Sequence, residues 1–228
     1  MCGIVGYTGK REPRELLLAG LEKLEYRGYD SAGIAVLEPS GTKVTRAVGN
    51  LAALRQAVSA EGPVAESDSE GDQTGIGHTR WATHGRVTEA NAHPHGNGDG
   101  RVQVVVNGII ENFAQLKAEL ALDGSTFLSE TDVEVIAHLI SNAYDGDIVA
   151  AVRAAESRLE GHYAFVAMVD SQPGVLAAAR HECPLVFGLG EGETFIASAV
   201  PAFLEHTRNV LELDDGEIAV ITPGGVRL

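Results

Sequence analysis

Between residues 163 and 222 the chain offers one strand-forming run after another, with no helix long enough to cross a sheet. Apolar runs at 163–170, 175–180, 185–189, 194–198 and 209–222 (the last in two pieces) are separated by short segments bearing Gly or Pro, and only a short helix near 201–205 interrupts them. Parallel neighbours need a crossover of about a dozen residues or more, whereas short turns join antiparallel ones. This run therefore commits the chain to sheets that are largely antiparallel.

The first half has the same material with helices set between. Residues 3–8 read as a short buried strand, and Pro13 sits where a first helical turn accepts it. Leu16, Leu17, Ala19, Leu21 and Leu24 predict an amphipathic helix closed near Gly28. Strands are expected at 32–37 and 43–48 around a turn at Gly41, then a helix from Leu51 to Val58 and a strand at 75–79. Val102 to Val106 reads as a buried strand ending at Asn107-Gly108, followed by a helix from Asn112 to about Leu122. Thr131-x-x-Glu134 has the pattern of a capping box and predicts a helix with Val133, Ile136, Ala137 and Ile140 on its apolar side. A further helix is expected from about Ile148 to Leu159. Strand-rich ends with helices between them read as an α+β sandwich. No repeat and no second boundary breaks the 228 residues, so one domain spans 1–228. Residues 60–73, with Glu61, Glu66, Asp68, Glu70 and Asp72, read as a solvated loop, and 80–100 as irregular structure.

A formal net charge of −15 argues against a nucleic-acid platform or a binder of anionic membranes, both of which need basic patches. Two cysteines, Cys2 and Cys183, make no disulfide framework, and no apolar run approaches a membrane span. The start lacks a signal peptide's apolar region, so a cytoplasmic, reducing setting is expected.

Chemistry can begin at Met1-Cys2-Gly3. Once Met1 is removed, Cys2 carries both a thiol and a free α-amine, with reference pKa values of about 8.5 and about 8. Such an amine can take the thiol proton without a separate histidine. Taken alone, Cys2 reads equally as a nucleophile and as a small buried hydrophobe. Arg80, in His78-Thr79-Arg80-Trp81-Ala82-Thr83-His84-Gly85, offers a planar fork suited to a carboxylate; its plainer reading is a surface salt bridge. Asn107 and Gly108 can pair a side-chain amide with a backbone N–H as an oxyanion hole, although Asn-Gly by itself is usually a turn. Asp132 is either a first-turn acid at a helix start or an anion for a substrate ammonium. Asn91-Ala92-His93-Pro94-His95 raises the question of a metal, but zinc needs three or four ligands, and no matching cysteine or carboxylate spacing exists. Structural histidines are the favoured reading there. Singly, each group is balanced or bland. Together they describe a site for a free α-amino acid with a carbonyl electrophile in its side chain, of which glutamine is one.

At this point the sequence resembles a known family, the class II glutamine amidotransferase domain of the N-terminal-nucleophile hydrolase fold. Within it the more specific resemblance is to the glutaminase half of the enzymes of amino-sugar synthesis. The matching stretches are Cys2 to Gly6, Leu24-Glu25-Tyr26-Arg27-Gly28-Tyr29-Asp30-Ser31-Ala32-Gly33, His78 to Gly85, Asn91 to His95, Asn107 to Asn112, Ser129 to Leu139 and parts of the C-terminal strands. The resemblance implies a four-layer α/β/β/α sandwich of two antiparallel sheets. It implies Cys2 as nucleophile with its α-amine as base, and Asn107 and Gly108 as the oxyanion hole. Arg80 would take the glutamine carboxylate and Asp132 its ammonium, with Thr83 and His84 in a covering loop and Trp81 closing the ammonia exit. No cofactor and no metal are implied. Full-length relatives continue into sugar-isomerase domains that bind fructose 6-phosphate, and a homodimer is expected of them; residues 1–228 are expected to hold the amidotransferase domain without the sugar-isomerase domains. The sequence departs from the family's pattern at Val106, where a histidine often precedes Asn-Gly, at Ala199, where aspartate is usual, and at 66–72, which looks inserted. The alternatives are a free-standing glutaminase, a related amidotransferase, a peptidase or acylase of the same fold, or a binding module left inactive by a retained Met1.

Overall fold

A computed structural model describes residues 2–62 and 71–228, so most of the acidic 66–72 stretch lies outside the described residues. The first half runs β1 (Gly3–Gly9), α1 (Pro13–Glu22), β2 (Ser31–Glu38), β3 (Gly41–Val48), α2 (Leu51–Ala60), β4 (Gln73–Arg80), β5 (His95–Gly96) and β6 (Val102–Ile110). Three helices follow, α3 (Phe113–Leu122), α4 (Glu134–Ala143) and α5 (Ile148–Glu156). The strands β7 (Gly161–Val169), β8 (Leu176–His181), β9 (Val186–Leu189), β10 (Thr194–Ala197), β11 (Val210–Glu212), β12 (Ile218–Thr222) and β13 (Gly225–Arg227) close the chain.

The strands sort into two sheets, ordered β11-β9-β10-β1-β4-β2-β3 and β13-β12-β8-β7-β6-β5. Every neighbouring pair is antiparallel, as the succession of short turns requires. Side chains alternate across each strand and so divide the core into three slabs. In β7, Phe165, Ala167 and Val169 pack toward α3–α5, while Ala164, Val166 and Met168 pack between the sheets. In β1, Val5 and Tyr7 pack toward α1 and α2, while Ile4 joins the inter-sheet slab. Helices cover both outer faces, giving the expected α/β/β/α layering.

Local signals mostly hold. Pro13 is the first residue of α1, and the Glu12 carboxylate caps it by accepting from the Arg14 and Glu15 N–H groups. Two expectations fail in ways that matter for the site. β6 does not end at Asn107-Gly108 but continues to Ile110, paired with β7 throughout. Gly108 sits in that strand at φ +114°, and a Cβ there would lie 2.0 Å from the His162 carbonyl oxygen, so glycine is required for strand continuity rather than for a turn. The Thr131-x-x-Glu134 box does not close either. Val133 is the cap residue of α4 without a side-chain cap bond, and the Glu134 carboxylate accepts from the Leu128 and Ser129 N–H groups at 2.7 and 2.8 Å. Thr131 turns its hydroxyl to Ser129 and His95. Glu134, Ser129 and Thr131 are buried, and the backbone donors of Leu128 and Ser129 claim the carboxylate first. The helix expected near 201–205 is a single 3₁₀ turn, Val200–Ala202.

Candidate active site

Cys2 immediately precedes β1, whose neighbour β4 ends at Arg80. That pairing brings the Trp81 N–H to the Cys2 Sγ at 3.2 Å. The thiol is half-buried, and burial pushes it above its ordinary value against the pull of that N–H and of the Arg80 charge. It is therefore protonated at rest, and any chemistry of its sulfur needs a base.

The end of β4 is framed by the stretch that follows α1. The Asp30 N–H donates to the Arg80 carbonyl at 3.1 Å, and the Asp30 carboxylate accepts from the Ala82 N–H at 2.8 Å. Gly28 lies so close to the Arg80 backbone that a Cβ would come within 2.8 Å of it. Tyr29 meets Trp81 edge-on at 5.4 Å. The Arg80 side chain is buried, which lowers its pKa from the usual value. It donates to the carbonyls of Arg86, at 3.1 Å, and His84. The fork predicted for a carboxylate thus presently holds the loop that follows it.

Across the site stands β6 of the other sheet. The Asn107 Nδ2 donates to the Cys2 carbonyl at 3.2 Å, tying the two sheets together at Cys2. In β6 the Val106 N–H is directed to the His93 ring at 3.3 Å and the Ile110 N–H to Asp132 Oδ2 at 2.9 Å, both off the edge away from β7. Gly108, midway between them, has its N–H on that same edge by strand alternation. Asp132 is buried; its second oxygen, Oδ1, lies 3.8 Å from the His84 ring. Cys2, Arg80, Trp81, Thr83, His84, Gly108 and Asp132 share one small cavity of about 20 Å³, room for a single water. Larger open depressions, such as that of about 520 Å³ beside Asn97 and His138, contain none of these groups.

All eight residues expected from the sequence are thus brought together, Asn107 through its bond to Cys2. The sequence reading passed over Asp30 as a loop anchor. It also passed over the Asn91–Glu130 pair, which holds the Arg86 backbone from both sides. Its plain view of the histidines missed their place beside Asn107: the His78 Nε2 is 3.1 Å from the Asn107 Oδ1. Among the departures, Val106 points its side chain into the slab under α3–α5. Beside Ala199, the Ser198 hydroxyl accepts the Ile4 N–H at 3.1 Å.

Comparison with known proteins places this arrangement. The chain belongs to the glutamine amidotransferase domain family, whose model matches residues 36–222. Among curated proteins it is 52% identical over 228 residues to the glutamine--fructose-6-phosphate aminotransferase [isomerizing] of Symbiobacterium thermophilum, covering all of this chain and 36% of that protein. It is 50% identical over 228 residues to the protein of the same name from Thermus thermophilus, with the same coverage. The chain therefore spans about a third of the length of the curated relatives it matches. Among solved structures, the glutamine phosphoribosylpyrophosphate amidotransferase of B. subtilis matches with TM-score 0.80 and 27% identity, over 99% of this chain and 48% of that one. The fold is that of the N-terminal-nucleophile amidotransferases.

Proposed function

We propose that this domain hydrolyses the side-chain amide of L-glutamine through a thioester on Cys2. The observation that carries the reading is the convergence of Cys2, Arg80, Asp132 and Gly108 on one cavity, with Asn107 bonded to the nucleophile's own carbonyl. Removal of Met1 makes the Cys2 amine the base. It takes the thiol proton as sulfur attacks the amide carbon. The oxyanion that develops is met by the second N–H of the Asn107 amide and by the Gly108 N–H, both held before reaction begins. The amine then returns the proton to departing ammonia, leaving a γ-glutamyl thioester, and activates the water that releases glutamate.

Arg80 binds the α-carboxylate and the free oxygen of Asp132 the α-ammonium. The Arg80 fork is taken up by the carbonyls of His84 and Arg86, so the Trp81–Val87 segment shifts on binding. When it does, the substrate carboxylate replaces loop carbonyls on the Arg80 fork. In a longer protein carrying sugar-isomerase domains, the ammonia serves the conversion of fructose 6-phosphate to glucosamine 6-phosphate. The identity to two aminotransferases so named, over about a third of their length, supports this wider reading. A homodimeric full-length enzyme and a cytoplasmic setting belong to it as well. Cys2 and Cys183 are free thiols, and among the described residues no helix is long and apolar enough to cross a membrane.

The test is release of glutamate and ammonia from glutamine, with and without fructose 6-phosphate, on protein whose N-terminus has been established by intact mass. Processed protein is expected to turn over glutamine, and Cys2→Ala to fall to background. Activity in protein that retains Met1, or in Cys2→Ala, would overturn the mechanism.

A further inference from the structure

Three buried imidazoles beside the site have no part in the reaction as described. His78, His93 and His95 form a column, with ring centroids 3.9 Å apart for the first pair, nearly parallel at 25°, and 4.4 Å for the second. The first pair opposes faces rather than lone pairs, the second meets edge-on at 63°, and among the described residues no cluster has the makings of a metal site.

The chemistry of their partners assigns the protons of His78 and His93. The Cys2 carbonyl can only accept, so the Asn107 amide must turn its Nδ2 to it. That leaves the Asn107 Oδ1 facing the His78 Nε2 at 3.1 Å, with the Val106 carbonyl oxygen 2.9 Å from the same nitrogen. Both neighbours are acceptors, so Nε2 carries the proton and donates to both. The ring is fully buried, and burial holds its pKa down to about 3, so it is neutral near pH 7. Its Nδ1 is then a bare acceptor, without a hydrogen-bond partner among the described residues. The His93 Nδ1 accepts the Val106 N–H at 3.3 Å, so that ring carries its proton on Nε2. The two stacked rings together hold the N–H and the C=O of Val106, just past the point where β5 stops pairing with β6.

We infer that His78 is a positioning residue for the oxyanion hole: its Nε2–H holds the Asn107 amide with the NH₂ turned toward Cys2 and the reacting carbonyl. This rests on the role proposed above for Asn107. The Cys2 carbonyl holds the amide by its nitrogen and the His78 proton by its oxygen; without that proton only one restraint keeps the amide oxygen from facing the developing oxyanion. His93, which itself lines the cavity, supports His78 through the Val106 N–H. His78 does not line the cavity and acts through Asn107.

Three variants test the assignment in glutamine turnover. His78→Phe keeps a ring in the column but loses the donor, and kcat is expected to fall about 10–100-fold with KM for glutamine within about twofold. His78→Gln, which can still donate to Asn107, should recover much of the loss. His78→Phe combined with Asn107→Ala should be no slower than Asn107→Ala alone, because the histidine acts through that amide. A loss in the double variant equal to the product of the two single losses overturns the inference while leaving the oxyanion role of Asn107 standing. An Asn107→Ala with unchanged kcat would remove that role itself. Should His78→Phe fail to fold, ¹⁵N spectra of the unaltered protein decide: a neutral Nε2–H ring that does not titrate between pH 5 and 8 is expected. A bare Nε2, or a ring titrating near 6.5, overturns it.

Discussion

The two walls of the cavity are held in opposite ways. One is β6 from Val106 to Ile110, where Val106, Asn107 and Ile110 are buried and the backbone and amide groups described above are tied to His78, His93, Cys2 or Asp132. The other is the Trp81–Val87 segment, where Trp81 and Val87 are each 43% exposed. It is tied down largely by the Arg80 fork gripping its carbonyls and by Glu130 and Asn91 holding Arg86. The difference teaches a division of labour. Charge stabilisation gains most from groups that need not reorganise during reaction. Substrate entry needs a wall whose restraints can be exchanged, and the chief restraint here is the cation assigned to the substrate's carboxylate.

The sharpest break between the walls is expected in kinetics. Asn107→Ala should lower kcat by ~10²–10³ with little change in KM, as removal of one oxyanion donor typically does. A rise in KM alone would make the fixed wall a binding surface instead. Arg80→Lys keeps the charge but not the fork, and KM for glutamine should rise about 10–100-fold, the worth of a charge-assisted hydrogen bond. Trp81 is the sole tryptophan, so its fluorescence reports the same change, with quencher access expected to increase as the loop loosens. An unchanged KM would take Arg80 out of the clamp.

Stability against pH probes the fixed wall by itself. Burial lowers the pKa of His78 and of His95 to about 3, the latter helped by the Arg46 charge, and holds His93 well below its usual value. The unfolded rings protonate near 6.5 while the native ones stay neutral. The unfolded chain then binds more protons, so stability declines as pH falls from about 6.5 toward 3, by up to about 1.4 kcal/mol per pH unit for each ring. Denaturation midpoints between pH 7.5 and 5 should show this, with a shallower slope in His78→Gln; equal slopes would mean that His78 already protonates in the native state. The smallest effect belongs to Glu130→Gln, which weakens only the anchor of Arg86. KM should rise about two- to fivefold at constant kcat, since exposed contacts of this kind are worth little. A fall in kcat would show that the two walls are coupled.

How much of this was legible beforehand differs from residue to residue. Pro13, the succession of strands after residue 163 and the helices between were readable because turn chemistry and periodicity are local. Cys2, Arg80, Asn107, Gly108 and Asp132 were readable as chemical types, and the family resemblance joined them into one site. The Asn-Gly pair misled as a turn, because only the approach of the His162 carbonyl shows why glycine stands inside a strand. The Thr131–Glu134 spacing misled as a cap, because the donors that claim the carboxylate belong to a fold-back at Leu128 and Ser129.

By itself, then, the sequence determined an α+β sandwich of largely antiparallel sheets, the inventory of reactive groups and the joining of a thiol and a potential α-amine in Cys2. Those follow from short-range sterics, side-chain alternation and the pKa values of a thiol and an amine, with the family resemblance supplying the order of the layers. The tertiary structure decided which partner each group meets. Asn107 reaches the carbonyl of a residue 105 positions away, and His78 finds Val106 and Asn107 across the gap between two sheets. Hydrogen bonds act over about 3 Å and depend on direction, so only the packing of one sheet on the other could turn a histidine, an asparagine and a cysteine into one oriented array.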